Sequence, residues 1–277
     1  EKTPNPRLRE VMQSLVSHLH AFIREVEPSD PEFELACEFL VGLGKATSEK
    51  KNEVILASDI LGASTLITLI NNVKRAEAAG KMKTESALLG PFWRKNAPHY
   101  ANGSNISRGP ESNTSDQVFE VSGYVRDANG NPINGADVDI WQASPLGFYE
   151  NQDPAQADMN LRGKFVSDAA GHVSFRSIKP AGYPIPVNGP VGALLRAQGR
   201  HNMRPAHIHF MLVKPGYKTQ FSQVYSSDDP HLETDVQFGV TEALIGHYTL
   251  HETGPAPAPD VQGHWYTLNY AFVIEPG

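Results

Sequence analysis

The stretch Gln117-Val118-Phe119-Glu120-Val121-Ser122-Gly123-Tyr124-Val125-Arg126-Asp127-Ala128-Asn129-Gly130 decides the fold. Phe119, Val121 and Val125 fall at period two, which places them on one face of a strand, and Asp127-Ala128-Asn129-Gly130 supplies a turn. The same pattern recurs downstream. Val138-Asp139-Ile140-Trp141-Gln142 is followed by Gly163-Lys164-Phe165-Val166-Ser167-Asp168 with a turn at Ala170-Gly171, then by Val173-Ser174-Phe175-Arg176. His207 to Val213, Phe221 to Tyr225 and Tyr266 to Ile274 complete the series. Short strands between Gly, Pro and Asn turns predict a mainly β fold, an antiparallel sandwich or barrel. The segment Glu150 to Leu161 is polar and is expected to be an exposed loop.

Upstream the period changes to that of a helix. Leu8, Val11, Leu15, Leu19, Phe22 and Val26 form one apolar stripe that Glu27-Pro28-Ser29-Asp30-Pro31 ends. A second pattern carries Phe33, Leu35, Phe39 and Leu40, and a third runs from Asp59 through Leu66, Leu69 and Val73 to Lys74. The segment from Gly80 to about Ser115 is rich in Pro, Gly, Asn and Ser. It contains Leu88-Leu89-Gly90-Pro91-Phe92-Trp93, which is too apolar for a free linker and is expected to pack on the core or a cavity. The organisation read from these patterns is a helical region and linker over 1–115 and a β-sandwich over 116–277.

Composition narrows the function. The 277 residues carry 40% hydrophobic and 20% charged side chains, as ordinary globular proteins do. A net charge of −7 and the lack of any Lys/Arg run argue against nucleic acid as partner. No stretch reaches the length of a membrane span, which argues against a membrane partner. The single cysteine, Cys37, lies in a helical pattern, suits a cytoplasmic location and is expected to be a buried structural thiol. Asn102, Asn105 and Asn113 head Asn-x-Ser/Thr triplets that read as surface loop.

The chemistry begins at Arg204-Pro205-Ala206-His207-Ile208-His209-Phe210. On a strand, His207 and His209 point the same way, and two imidazoles on one sheet face are half of a metal site. Tyr149, in Leu146-Gly147-Phe148-Tyr149-Glu150, and Tyr183, in Gly182-Tyr183-Pro184-Ile185-Pro186, sit in loop-like settings. Two phenolates with two imidazoles would suit ferric iron. Periodicity does not connect the four, and each alone reads more readily as a packing or hydrogen-bonding residue than as a ligand.

Gly182-Tyr183-Pro184-Ile185-Pro186, Gly199-Arg200-His201 and Arg204 to Phe210 together closely resemble the intradiol ring-cleavage dioxygenases. Val138 to Ala143 and Leu89-Gly90-Pro91-Phe92 do so as well, and the similarity spans essentially the whole chain. The resemblance implies that the β-sandwich is the catalytic domain. It implies one non-haem Fe(III) per chain, held by Tyr149, Tyr183, His207 and His209. It further implies that a catecholic diol or triol displaces Tyr183, which takes a substrate proton, and that both atoms of O2 enter the ring to give a cis,cis-muconate. Arg204 matches the family's active-site arginine, which stabilises carbanion character on the ring, and Gln223 matches its nearby glutamine. The N-terminal helices are expected to form a homodimer interface, with a phospholipid lodged between them in some members.

Ser58-Asp59-Ile60-Leu61-Gly62-Ala63-Ser64 and Thr234-Asp235-Val236-Gln237-Phe238-Gly239-Val240 resemble the hydroxyquinol branch. Catechol-type members carry a larger aromatic where Val236 falls, so a smaller side chain there leaves room for a third hydroxyl. Leu61, Leu89, Pro91, Ile185, Pro186 and Val236 are the expected pocket walls. The alternative within the family is a catechol or a chloro- or alkyl-substituted catechol.

Two readings of other classes compete. Gly123 to Asp127 and Gly130 to Val138 also resemble non-enzymatic, transthyretin-like β-sandwich binding modules. A His-x-His enzyme of the double-stranded β-helix class would instead need a carboxylate and a distal histidine, for which Glu233 and His251 are the available residues.

Overall fold

A computed structural model describes residues 3–48, 51–79, 84–109, 118–259, 261 and 263–277. The expected boundary at 115–116, and with it Asn113, lies outside the described residues. The chain opens with four helices, α1 (Pro6–Val26), α2 (Asp30–Ala46), α3 (Glu53–Ile60) and α4 (Ala63–Ala79). Asn5 caps α1 by accepting from Leu8 N, and Ser29 with Glu32 forms a capping box on α2. The third helical pattern is in fact two helices. Leu61-Gly62 separates them, and Gly62 has φ +74°, a left-handed conformation that ends α3.

The β-region is a sandwich of two sheets. One has the order β10-β11-β1-β4, from Thr249–His251, Trp265–Val273, Val118–Arg126 and His172–Ile178. The other has the order β3-β2-β7-β8-β9, from Arg162–Val166, Asp137–Gln142, His207–Val213, Gln220–Ser226 and Ile245–Gly246. A two-residue ribbon pairs β5 (Tyr183–Pro184) with β6 (Met203–Arg204). The sandwich is mixed, not purely antiparallel: β1 runs parallel to β11, and β8 to β9. Parallel pairs need long connections, and the pairing of β1 with β11 joins the two ends of the domain.

Alternation assigns the two faces of the second sheet to two different cores. Val138, Ile140, Phe165, Ile208, Phe210, Leu212 and Val224 pack inward against Phe119, Val121, Phe175, Leu268 and Phe272 of the first sheet. The residues between them, Trp141 and Met211 among them, face outward into a second cluster. That cluster is closed by Leu56, Ala57 and Ile60 of α3, by Phe92, and by Val191 and Leu195 of α5 (Pro190–Ala197). Sequence periodicity did not show α5, because eight residues give barely two helical turns.

Two expectations, for Cys37 and for the segment 150–161, are corrected here. Cys37 is exposed, because α2 buries only Leu43. The segment 150–161 is not wholly solvent-facing: Glu150, Asn160 and Leu161 are buried. α1 buries none of its residues, so Leu8, Val11, Leu15, Leu19, Phe22 and Val26 all lie exposed. Among the described residues no single helix is long and apolar enough to cross a membrane. Among the described residues one pair, Glu53–Ile60 with Ala63–Lys74, is long and apolar enough when taken together, but is bent by 67°.

Candidate active site

Cross-strand register builds the site on the outer face of the second sheet. Trp141 pairs with Arg162 on one side and with His209 on the other, and His209 pairs with Gln223. His207 pairs with Tyr225 in the next row. These side chains share one face because strand side chains alternate and facing residues lie within contact distance. The indole of Trp141 stacks on the His209 ring at 4.7 Å with an 8° interplanar angle. On the other side Gly90 approaches so closely that a Cβ there would sit 3.1 Å from His209 Cε1.

The two tyrosines come from elsewhere in the chain and meet the histidines over the sheet. The Tyr149 and Tyr183 rings lie 5.4 Å apart at 88°, Tyr183 lies 5.4 Å from His207, and Tyr149 lies 6.2 Å from His209. All four are buried. His207 Nδ1 lies 2.7 Å from the carbonyl oxygen of Pro205, so it carries the proton and leaves Nε2 as a bare lone pair. That Nε2 is 3.1 Å from His209 Nε2, while the Tyr149 hydroxyl and His209 Nδ1 have no hydrogen-bond partner.

Burial, with the charge of Arg204 behind it, pushes the His207 imidazole down to about 3, and burial also lowers His209. Both therefore stay neutral, as ligands must. Burial, then the neighbouring Tyr183, pushes the Tyr149 phenol well above its ordinary value. An added cation is what would ionise it. Converging nitrogens, an orphaned phenol and a donor set of two imidazoles and two phenols fit a hard trivalent metal ion.

Arg204 is held more firmly than sequence indicates. Its Nε and Nη2 donate to Asp235 Oδ1 and Oδ2, both at 3.1 Å, and Nη2 also donates to Gln223 Oε1 at 3.0 Å and Tyr225 Oη at 2.7 Å. Its Nη1 lies 3.4 Å from His207 Nε2. Burial raises the Asp235 carboxyl, but the charge and hydrogen bonds of Arg204 outweigh it and hold the group below the usual carboxylate range.

A cavity of about 500 Å³ reaches this centre. Of the four predicted metal ligands only Tyr183 borders it, beside Leu56, Asp59, Pro91, Phe92, Ile185, Pro186 and Gln237. Pro91, Ile185 and Pro186, three of the expected pocket walls, border this cavity. Leu61 does not: it is 60% exposed and outside the cavity, because the turn after α3 rotates it away from buried Ile60. Val236 is buried in the same apolar cluster as Tyr183 and Ile185, and Leu89 packs on that cluster, but neither borders the cavity.

Sequence reasoning assigned no role to Tyr225, Asp235, Asp59, Arg162 or Glu150. Tyr225 could have been found from its spacing, since residues 223 and 225 share a strand face. Asp235 and Asp59 arrive from a distant loop and helix; their segments carry the hydroxyquinol-branch resemblance, but nothing in them assigns either carboxylate its partner. Glu233 and His251 are not brought together: His251 lies on β10 of the opposite sheet, stacked on Trp265 and bonded to Thr267. Among the described residues there is no cluster of three or more His, Cys, Asp or Glu side chains that could hold a metal.

Comparison with known proteins shows the family. Residues 88–276 match the family model described as "Dioxygenase", and residues 5–79 match "Catechol dioxygenase N terminus". The chain belongs to the intradiol ring-cleavage dioxygenases, and its type within them is the hydroxyquinol or catechol 1,2-dioxygenase. It is 41% identical to a hydroxyquinol 1,2-dioxygenase of Rhizobium sp., over 98% of this chain and 90% of that one. It is 36% identical to a catechol 1,2-dioxygenase of Candida albicans, over 88% and 78%. Its fold superposes on the crystal structure of hydroxyquinol 1,2-dioxygenase from Pseudomonas putida with a TM-score of 0.87 at 36% identity, covering 100% of this chain and 94% of that chain.

Proposed function

We infer that the ring this enzyme cleaves is hydroxyquinol, 1,2,4-trihydroxybenzene, opened to 3-hydroxy-cis,cis-muconate or its tautomer maleylacetate with both atoms of O2 incorporated. The observation that carries this reading is the Asp59 carboxyl on the cavity wall, 3.4 Å from Gln237 Nε2. Burial raises this carboxyl above its ordinary value, which keeps it a strong partner for a ring hydroxyl. Gln237 already donates to this carboxyl, and a third ring hydroxyl would add a further donor that a plain catechol lacks. Val236 is packed in the same apolar cluster as Tyr183 and Ile185, where a larger aromatic would press on the cavity wall those two residues form.

Tyr149, Tyr183, His207 and His209 are the residues that would hold a single Fe(III). When bound, that ion supplies the Lewis acidity that makes a phenolic ring reactive toward O2. The chain's own residues do the rest. Tyr183, at the cavity wall, would as the phenolate of the iron-loaded site accept a proton from a substrate hydroxyl at its Oη. Arg204, pinned by Asp235, places fixed positive charge where negative charge grows on the ring, and Gln223 hydrogen-bonds beside it. Pro91, Ile185 and Pro186 line an apolar wall that excludes water from the ring.

The test is Asp59→Leu, assayed for O2 uptake with hydroxyquinol and with catechol. Loss of one hydrogen bond to a charged or strongly polar group, about 1.5–3 kcal/mol, should cost hydroxyquinol roughly 10- to 100-fold in kcat/KM and leave catechol near wild type. Equal losses for both would overturn the assignment.

The exposed stripe of α1 supports a homodimer through the N-terminal helices. A species of single-chain mass in sedimentation velocity at micromolar concentration would overturn it. Phosphate assay of a solvent extract of the purified dimer tests for lodged phospholipid. The single Cys37 suits a reducing location such as the cytoplasm.

A further inference from the structure

Beneath the Tyr149 ring lies an arginine that the reaction described above does not use. Arg162 is 1% exposed, and its guanidinium carbon sits 5.8 Å from the Tyr149 ring centroid. Its Nε donates to Glu150 Oε2 at 2.6 Å and its Nη1 donates to the carbonyl oxygen of Phe92 at 2.6 Å. Its Nη2 is buried and has no partner. Both groups it holds bear on the same phenol. Glu150 is the chain neighbour of Tyr149, and the Phe92 ring stacks on the Tyr149 ring at 4.5 Å.

Glu150 is shared by two cations, since Arg94 Nη1 donates to its other oxygen at 2.5 Å. Asp158 bonds Arg94 from the surface, where its side chain is 78% exposed and water screens it. At the centre is the buried pair of Arg162 and Glu150, with the partly exposed Arg94 guanidinium on the other carboxylate oxygen and buried Asp139 acting on Arg162 from the neighbouring strand. Arg162 is the cation buried against the ring of a predicted ligand. Burying a charged guanidinium with an unused donor is costly, and such an arrangement persists where a compensating negative charge is supplied.

We propose that Arg162 is a positioning and charge-balancing residue for Tyr149, gripping the segment that carries the phenol and supplying the countercharge for its ionised form. This rests on Tyr149 being an iron ligand. The field acts on electron density at the phenolate. Removing the positive charge raises the energy of the phenolate electrons, so tyrosinate-to-iron charge transfer needs less energy and moves to longer wavelength. Removing the carboxylate of Glu150 leaves the cations less opposed and moves it the other way. Partners of this kind behind a metal ligand typically change metal affinity about 10- to 100-fold.

The experiment is the visible spectrum and iron dissociation constant of three iron-loaded variants, Arg162→Met, Glu150→Gln and Arg94→Met. A coloured wild type with a tyrosinate band is the precondition, and a colourless, iron-free wild type would instead sink the ligand assignment. The expected result is a longer-wavelength band in Arg162→Met with iron binding weakened about 10- to 100-fold. Arg94→Met should show a smaller shift in the same direction, and Glu150→Gln a shift to shorter wavelength. Should Arg162→Met not fold, the opposed signs of the other two carry the test. Unmoved bands, or shifts of the same sign in Arg94→Met and Glu150→Gln, would overturn the proposal, because loosened packing has no reason to follow the sign of the charge removed.

Discussion

Replacing Asp235 by Asn should destabilise the protein by about 3 kcal/mol, within the roughly 3–5 kcal/mol expected when one partner of a buried ion pair is removed. The structure sets the size. Asp235 accepts from Arg204 Nε and Nη2 and from the backbone N–H groups of Gln237 and Gly239, at 3.2 and 3.0 Å. Asn keeps one acceptor oxygen, so Arg204 Nε and Gln237 stay satisfied. Its NH2 then faces two donors, Arg204 Nη2 and Gly239 N, and leaves the guanidinium charge buried without a counterion. Urea unfolding of the iron-free protein measures this. At a slope of about 3 kcal/mol per M, the midpoint should fall by about 1 M.

The pH dependence has a definite sign. The folded carboxyl lies below its unfolded value of about 3.9. Its contribution is therefore complete above that pH and is lost as pH falls through the lowered folded value. The gap between wild type and variant should be constant from about pH 5 to 8 and narrow below about pH 4. The double variant Arg204→Met with Asp235→Leu removes both charges and should cost less stability than Asp235→Asn alone. A single-variant loss below about 1 kcal/mol, or a double variant less stable than the single, would refute this account of the pair.

Tyr183→Phe should lower turnover by at least about 10²-fold, the scale of general-base catalysis, and shift or bleach the iron-loaded colour; full activity would remove Tyr183 from the site. Val236→Phe, filling the cluster behind Tyr183 and Ile185, should reduce hydroxyquinol kcat/KM more than catechol kcat/KM in parallel O2-uptake assays. Gly90→Ala must place a Cβ 3.1 Å from His209 Cε1 at a residue with φ +75°. A loss of about 1–3 kcal/mol in thermal or urea unfolding, with weakened iron binding, is the expected outcome.

The strands were legible because their period is short and their turns are marked. Val138–Gln142, His207–Val213 and the last strand fall within a residue or two of where alternation places them. The same alternation put His207 and His209 on one face. Periodicity failed at Leu61-Gly62, where an apolar helical pattern continues across a break that one left-handed glycine imposes. It failed again at Cys37, because an amphipathic pattern names an apolar stripe without saying what covers it.

What the sequence by itself determined was the set of elements, the faces of their strands and, through motif resemblance, the family and its candidate ligands. What only the tertiary structure decided was company. Asp235 meets Arg204 across 31 residues, Glu150 and Arg162 meet beneath Tyr149, and Asp59 comes from a helix to the cavity that Tyr183 borders. Local sequence fixes backbone conformation through near-neighbour sterics and hydrogen bonding, whereas these charges are placed by packing between segments far apart in the chain, and their energies exist only once water has been excluded around them.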